Sequence, residues 1–227
     1  NNKFNNYYFV NAATGGWGSS DQLMYLIKYC NKIKPEKVLI FINSEDIFRS
    51  FNSNLFYLDN SNKLITGKND VIEFSILTEN IFYKFLIGNL HSLRFIKKMY
   101  VNFFVDRNMK NNSISSQHGK KDFQNFALPQ MIYKKISEEV LNCNSELILI
   151  NLAWENFETY EKLLFFKNYK SYFKKNNFNY INLHNEMQII QNNKENYEIK
   201  FDRHPNEKAN EYFYKIISSK LETNFNF

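Results

Sequence analysis

Short apolar runs of strand length alternate with helix-like segments along this chain, and this alternation constrains the fold more than any other feature. Val38–Ile42 is a continuous apolar run, typical of a parallel strand that is buried on both faces. Glu146–Leu152 and Tyr180–Leu183 are further strand-like runs, and each follows a segment with apolar residues at helical spacing. The pattern predicts one doubly wound, mainly parallel sheet in a three-layer α/β/α arrangement.

The first part of the chain predicts a strand, a turn and a helix. Tyr7–Asn11 is a short β-prone run that ends at a glycine-rich turn. The apolar spacing after this turn predicts a helix to about Lys34, where Pro35 ends it. Later helices are expected over residues 129–142, 158–176 and 207–221.

The middle of the chain interrupts this rhythm. Asn52–Asp70 is polar and rich in asparagine, which predicts a loop or excursion. Ile72–Tyr100 has apolar residues at mixed three- and four-residue spacing, which predicts helix, and Arg107–Asp122 is polar and predicts a surface segment. We therefore expect a single domain over residues 1–227, with an irregular or helical excursion at about residues 52–128.

The net charge of +6 raises the question of an anionic partner. AT-rich codons specify the heavily used asparagine, lysine, isoleucine, phenylalanine and tyrosine, and the densest basic stretch, Lys97–Lys121, lacks a glycine–aromatic nucleic-acid signature. No run approaches the roughly 20 apolar residues that cross a bilayer. The sequence thus predicts neither a nucleic-acid partner nor a membrane span within this chain.

The cysteines give little information on cofactors or compartment. Cys30 and Cys143 are too few for a disulfide framework and lack metal-ligand spacing. We expect no metal and no cofactor, while a cytoplasmic or periplasmic location and the oligomeric state stay open.

The first candidate site segment is the glycine-rich loop Asn11–Gly18, between the first expected strand and its helix. Sites in doubly wound sheets form at the carboxyl ends of the strands. Backbone N–H groups such as that of Gly16, next to a helix N-terminus, can stabilise an oxyanion. The alternative is a tight turn that needs a positive φ angle.

The second segment contains Asn43, Glu45 and Asp46, directly after the strand over Val38–Ile42. Polar side chains at this position line a pocket in many α/β proteins. They can equally cap the next helix, and the sequence leaves both readings open.

The third segment holds Asp202 and His204, two residues apart in a loop before the last helix. A carboxylate beside an imidazole holds its tautomer and prepares it as a general base for a hydroxyl nucleophile. The alternative is a surface histidine near a helix start. The other histidines, His91, His118 and His184, lack such a partner and are expected to be structural or exposed.

These segments together resemble the SGNH/GDSL hydrolases. Asn11–Gln22 resembles the second conserved block, in which an Asn-Ala/Gly-x-x-Gly segment precedes a Gln-bearing helix. Lys34–Ile47 resembles the Lys-Pro-Asp strand and the following Asn-Asp-Ile of the third block, and Asp202–Asn210 resembles the fifth block, Asp-x-His-x-Asn-x-x-Gly-His. The resemblance implies a flavodoxin-like SGNH fold and an ester hydrolase or O-acyltransferase. Its substrate would be a small-molecule or glycan ester, with acyl (acetyl) esters of a carbohydrate expected by analogy.

The resemblance also implies roles for individual residues. His204 would be the general base, Asp202 its orienting partner, and the Gly16 N–H part of the oxyanion hole. Glu45 stands where the family has its oxyanion-hole asparagine, and a carboxylate repels an oxyanion unless it is protonated. Asn43 or a rotated backbone would then have to stabilise the oxyanion instead. Asp46, the next residue after Glu45, is a further candidate site residue of this segment.

The family's first block, Gly-Asp-Ser, is missing from this chain. The chain opens Asn-Asn-Lys-Phe without an initiator Met, so we expect an N-terminally truncated domain whose nucleophilic serine lies upstream. In the family, the first strand lies between those that correspond here to Tyr7–Asn11 and Val38–Ile42. We therefore expect a gap in the sheet and an inactive isolated chain. Ser19 and Ser20 lie at a helix start and are not expected to be nucleophiles.

Two other classes of function remain open. A catalytically inactive SGNH-like module would bind a glycan or a partner protein, and the position of Glu45 together with the missing serine favours it. A flavodoxin-like nucleotide binder has no phosphate fingerprint here beyond Gly15-Gly16-x-Gly18.

Overall fold

The computed structural model describes residues 8–67, 126–154, 160–200 and 204–225. In these ranges, the structure is a mixed α/β arrangement of helices and strands. The helices are α1 (Ser19–Ile33), α2 (Ser44–Ser53), α3 (Ala127–Asn142), α4 (Tyr160–Lys175), α5 (Gln188–Gln191) and α6 (Glu207–Phe225). The strands are β1 (Lys37–Ile42), β2 (Phe56–Leu58), β3 (Leu64–Thr66), β4 (Glu146–Asn151) and β5 (Asn179–Asn182).

The central sheet has three parallel strands in the order β1-β4-β5. Ile42 pairs with Asn151, which in turn pairs with Asn182, so the three strands end together. Parallel neighbours need a crossover, and α3 and α4 provide the ones into β4 and β5. The predicted parallel α/β sheet is therefore confirmed.

Strand β4 separates two hydrophobic clusters because successive side chains of a strand point to opposite faces. Leu147 and Leu149 join a cluster with apolar residues of α1, α3 and α4. Ile148 and Ile150 join the other cluster, with residues of α5 and α6. Helices thus cover both faces of the sheet, in three layers.

The predicted strand over Tyr7–Asn11 is wrong for residues 8–11, which form no strand. Tyr8, Phe9 and Val10 are 94%, 59% and 54% exposed. A β-prone run becomes a strand only when a neighbouring strand takes its hydrogen bonds and a core takes its side chains. In the described part of the chain this segment has neither, and β1 pairs with β4 alone.

The predicted loop over Asn52–Asp70 is also wrong in part. Residues 52–53 complete α2, and β2 and β3 form an antiparallel hairpin. The Asp59 carboxylate accepts hydrogen bonds from the N–H groups of Ser61 and Lys63, both at 2.9 Å, and this fixes the turn. The predictions for Ile72–Tyr100 and Arg107–Asp122 lie outside the described residues.

A disulfide joins Cys30, near the end of α1, to Cys143, directly after α3. Both residues are buried, and their Cα atoms lie 6.0 Å apart. This pairing has no local sequence signal, because the two cysteines are 113 residues apart.

Crossing a bilayer requires a helix of about 20 mainly apolar residues. In the ranges that the structure covers, none is both long enough and apolar enough to do so.

Candidate functional site

The directions of the helices decide which loops share an edge of the sheet. Lys37, the first residue of β1, donates from Nζ to the backbone carbonyl oxygen of Phe225 at 3.3 Å, so the end of α6 lies at the amino edge. α6 has 19 residues, about 28 Å at 1.5 Å per residue, so its start at Glu207 reaches toward the carboxyl edge. α1 also runs against the strands, because only residues 34–36 separate its end from β1.

The glycine loop lies before α1 at this carboxyl edge. Gly16 is exposed and has a φ angle of +88°, and the Trp17 N–H donates to the Thr14 carbonyl oxygen at 3.3 Å. The segment is thus a tight turn with a positive φ angle, which glycine adopts without strain. A Cβ atom added at Gly16 would meet nothing within 4 Å, so the surroundings of this residue are open.

The first turn of α1 is held by side chains of its own and of neighbouring helices. The Gly18 N–H donates to Oδ2 of Asp21 at 2.8 Å, and burial raises the pKa of Asp21 against the opposing effects of this N–H and of Arg49. The Ser20 N–H donates to Oγ of Ser50 at 2.9 Å. Ser19 and Ser20 are fully buried, so neither presents a hydroxyl to a substrate.

Asp46 lies where the start of α1 packs against α2. A Cβ atom at Gly18 would lie 2.5 Å from the Asp46 carbonyl oxygen, so the two backbones approach closely. Arg49 contacts both sides of this junction, with Nη1 3.3 Å from Oδ1 of Asp46 and 3.4 Å from the Trp17 carbonyl oxygen. The structure therefore brings the glycine loop and the segment after β1 together.

Asn43 and Glu45 take part in the start of α2. The Asn43 carbonyl oxygen accepts a hydrogen bond from the Asp46 N–H at 3.2 Å, and Asn43 is half-buried. Glu45 lies in the first turn of α2, and its side chain lies outside the described part of the structure. Asn43 thus precedes α2 and accepts a backbone hydrogen bond from its first turn, while the choice between a pocket and a cap for its side chain stays open.

His204 lies three residues before α6 and is exposed. Its carbonyl oxygen accepts a hydrogen bond from the Ile199 N–H at 2.8 Å, beside an antiparallel bridge between Glu198 and Pro205. The backbone at His204 is therefore fixed while the residue reaches solvent. Asp202, its proposed partner, lies outside the described residues.

Asn206 is a residue of this loop whose role the sequence analysis missed. Its Oδ1 accepts the Ala209 N–H at 3.0 Å and caps α6, while its Nδ2 donates to the Asn196 carbonyl oxygen at 3.0 Å. One side chain thus joins the His204 loop to the helix and to the preceding turn. The sequence signal for this cap was an asparagine at the expected helix start, three residues before Ala209.

Two further asparagines at the carboxyl edge were also missed. Asn151 and Asn182 end β4 and β5, and Nδ2 of Asn151 donates to Oδ1 of Asn182 at 3.2 Å. Oδ1 of Asn151 accepts the N–H of Ala153 at 3.0 Å, in a turn where Ala153 has a φ angle of +50°. With Asn43 directly after β1, an asparagine stands at or next to the end of each of the three strands of the central sheet.

Trp154 connects this edge to α6. Its ring lies edge-on to Phe213 with centroids 5.6 Å apart, and Nζ of Lys194 lies 5.7 Å from the Trp154 ring centroid. The segment after β4 therefore packs between α6 and the turn that precedes the His204 loop.

Helix N-termini and an exposed imidazole are the groups that this edge offers for chemistry. Helix N-termini carry partial positive charge, and an exposed imidazole can accept a proton near neutral pH. The residues for which the structure gives positions contain no group of three or more His, Cys, Asp or Glu side chains that could hold a metal ion.

Comparisons with known proteins give no relative for this chain. No family model matches it, and neither does any curated protein or solved structure.

Proposed function

We propose that this chain is an SGNH-type ester hydrolase or O-acyltransferase domain that acts on acyl (acetyl) esters of a carbohydrate. The observation that supports the proposal is the direction of α1 and α6 against the sheet. With these directions, the glycine loop, the start of α2 and the exposed His204 all adjoin the carboxyl edge, where parallel α/β sheets bind their ligands.

In this proposal, His204 takes the proton from a serine hydroxyl, and Asp202 orients the imidazole and stabilises its charged form. The Gly16 N–H and the amide of Asn43 stabilise the oxyanion of the tetrahedral intermediate. Asn43 replaces the family's oxyanion-hole asparagine, because Glu45 stands at that position. The serine oxygen bonds to the acyl carbon, and His204 returns the proton to the alcohol that leaves. Water, or the hydroxyl of an acceptor, then takes the acyl group from the serine and restores its hydroxyl.

In this proposal, the nucleophilic serine is that of the family's Gly-Asp-Ser block, which is missing from these 227 residues. Ser19 and Ser20 are excluded as nucleophiles because both are fully buried and bonded within the fold. The hydroxyl oxygen of a nucleophilic serine must lie within about 3 Å of the nitrogen that takes its proton.

The alternative is a catalytically inactive SGNH-like module that binds a glycan or a partner protein. The same burial of Ser19 and Ser20 favours it, together with the acidic Glu45 at the oxyanion position. The two proposals differ in one property, the presence of a reactive serine.

The test compares the 227-residue chain with the protein made from the complete reading frame that encodes it. Both are treated with a fluorophosphonate probe, which labels activated serines, and assayed with p-nitrophenyl acetate. We expect labelling and hydrolysis by the complete protein, and no hydrolysis by the 227-residue chain alone. In the complete protein, His204→Gln should lower kcat by about 100-fold or more, the range for general-base catalysis.

The matched control is His184→Gln, which removes a histidine two residues after β5. If this variant keeps full activity while His204→Gln loses activity, His204 is the general base. If the complete protein leaves every serine unlabelled, the inactive module replaces the enzyme. Equal activity of both variants and the parent would overturn the role of His204.

A further inference from the structure

The side of α1 that faces away from the core carries a continuous set of aromatic and basic side chains. Tyr25, Lys28, Tyr29 and Lys32 are spaced by three and four residues, so they share one face of the helix. The core residues Leu23, Leu26 and Cys30 lie on a different face. We refer to the outward set, with Trp17 at its head, as the aromatic–basic face.

The three rings of this face contact one another in sequence. The centroids of Trp17 and Tyr25 lie 5.7 Å apart, and those of Tyr25 and Tyr29 lie 4.8 Å apart. All three residues are half-buried, so each keeps part of its ring accessible to a ligand. The rings therefore form one connected apolar track along the first three turns of α1.

Two ammonium groups flank the far end of this track. Nζ of Lys28 lies 5.2 Å and Nζ of Lys32 lies 5.5 Å from the centroid of the Tyr29 ring, which is within the range of cation–π attraction. Both lysines are exposed. The acidic residue in the first turn of α1, Asp21, accepts the Gly18 N–H, so its carboxylate is engaged at the helix start. Within α1, the charged residues of this face are therefore both basic.

We propose that the aromatic–basic face binds an anionic polysaccharide. The apolar faces of sugar rings pack against the side chains of Trp17 and Tyr25, while carboxylates of the polymer pair with Lys28 and Lys32. Trp17 directly follows Gly16, so a polymer bound along α1 leads to the carboxyl edge. The idea that this polysaccharide is the acyl-bearing substrate rests on the proposed function. Its binding to the aromatic–basic face does not depend on that function.

The ring geometry favours a sugar polymer over a nucleic acid. Bases of a single strand stack on flat aromatic platforms. Here the planes of Trp17 and Tyr25 are inclined by 52°, and those of Tyr25 and Tyr29 by 41°. Rings at these angles do not share one plane, so they offer no continuous platform for a run of stacked bases.

The experiment measures binding without turnover, so a failed ester assay does not affect it. The whole chain is titrated with polygalacturonate, with neutral dextran and with oligo-dT, and affinity is followed by Trp17 fluorescence in a Trp154→Phe background. We expect binding of polygalacturonate that weakens with salt, and a Trp17 signal. Tyr25→Ala and the double variant Lys28→Gln/Lys32→Gln should each weaken binding about tenfold. A tenfold change in Kd corresponds to about 1.4 kcal/mol of binding free energy.

The matched control is Lys167→Gln/Lys170→Gln, which removes two exposed lysines at three-residue spacing from α4. This variant should bind as the parent does. An equal loss in both lysine variants would reduce the effect to net charge and overturn the proposal. Tighter binding of oligo-dT than of polygalacturonate, or no binding of polygalacturonate at all, would overturn it as well.

Discussion

The hydroxyl of Ser19 lies 2.9 Å from the hydroxyl of Tyr133, and both residues are fully buried. This hydrogen bond joins the first residue of α1 to α3, across 114 residues of chain. Burial raises the pKa of Tyr133 well above its usual value, so the phenol stays protonated. Ser19 therefore serves the packing of two helices.

We expect Ser19→Ala to lower the free energy of unfolding by about 1–3 kcal/mol, because the Tyr133 hydroxyl would remain buried without this partner. Urea denaturation measures the loss. The double variant Ser19→Ala/Tyr133→Phe should cost less than the sum of the single variants, since both remove the same bond. Ser219→Ala, at an exposed position of α6, is the control and should change stability little. Additive losses would contradict the contact.

Gly18→Ala should destabilise the junction of α1 and α2. A Cβ atom at Gly18 would lie 2.5 Å from the Asp46 carbonyl oxygen and 3.0 Å from the Ser50 nitrogen, and these backbone atoms cannot move independently of α2. Such overpacking costs about 1–3 kcal/mol, which thermal unfolding detects. Gly15→Ala is the matched control, because its Cβ would meet nothing within 4 Å. Equal stability of the two variants would contradict the close approach.

The parts of the fold that the sequence predicted are those in which one strand or helix has a strong local pattern. The apolar runs of β1, β4 and β5 match their predicted positions to within one residue at each end. Burial on both faces explains this pattern at β4, whose side chains join both hydrophobic clusters. The expectation of burial on both faces is wrong for β1, because Phe41 is 43% exposed at the edge of the sheet.

The parts that it missed depend on partners far along the chain. Tyr8 and Phe9 have strand propensity, and whether they form a strand depends on a neighbour that propensity does not encode. The Cys30–Cys143 bond and the Asn151–Asn182 hydrogen bond join residues that only the folded chain brings together. At the candidate site, the sequence predicted which loops carry polar groups, while the capping role of Asn206 required the fold.

Alkaline pH should unfold the protein through its buried tyrosines. Burial raises the pKa of Tyr180 to about 12, and it raises those of Tyr133 and Tyr169 as well. In the unfolded chain these phenols ionise near pH 10, at about their model value. Their contribution to stability is thus fully present below about pH 10 and is lost as the pH rises toward 12.

The measurement is urea denaturation between pH 8 and about 11.5, with tyrosinate absorbance as a second signal. Tyr180→Phe should reduce the loss of stability above about pH 10, because one linked ionisation is removed. Tyr214→Phe, at a 51% exposed position, is the matched control for the substitution itself. A parent protein whose stability is constant to pH 11.5 would contradict the burial of these phenols.

Reduction of the Cys30–Cys143 disulfide should lower the free energy of unfolding by about 2–5 kcal/mol, the usual range for a bond that closes a long loop. Unfolding midpoints with and without a phosphine reductant measure this change. The variant Cys30→Ser/Cys143→Ser should be less stable than the oxidised parent and insensitive to the reductant. A parent that shows the same insensitivity would indicate that the two thiols are not joined.

The outer edge of β1 should promote self-association of the 227-residue chain. Among the described residues β1 pairs with β4 alone, and Phe41 on this strand is 43% exposed. Unprotected apolar edge strands pair with other chains, and an inserted lysine prevents this. Phe41→Lys should therefore increase the monomer fraction in light scattering. Tyr57→Lys, at a 52% exposed position in the β2–β3 hairpin, should have no such effect.

The bond between Cys30 and Cys143 gives the chain a covalent connectivity that its linear order does not show. Residues 30–143 form a closed ring, with β1 inside it and β4 just beyond its closure. A protease that cuts anywhere in this ring opens it without dividing the molecule. The central strand pair, β1 and β4, would therefore remain in one covalent molecule after a nick. Only the loss of the sulfur–sulfur bond would turn that cut into a separation of fragments.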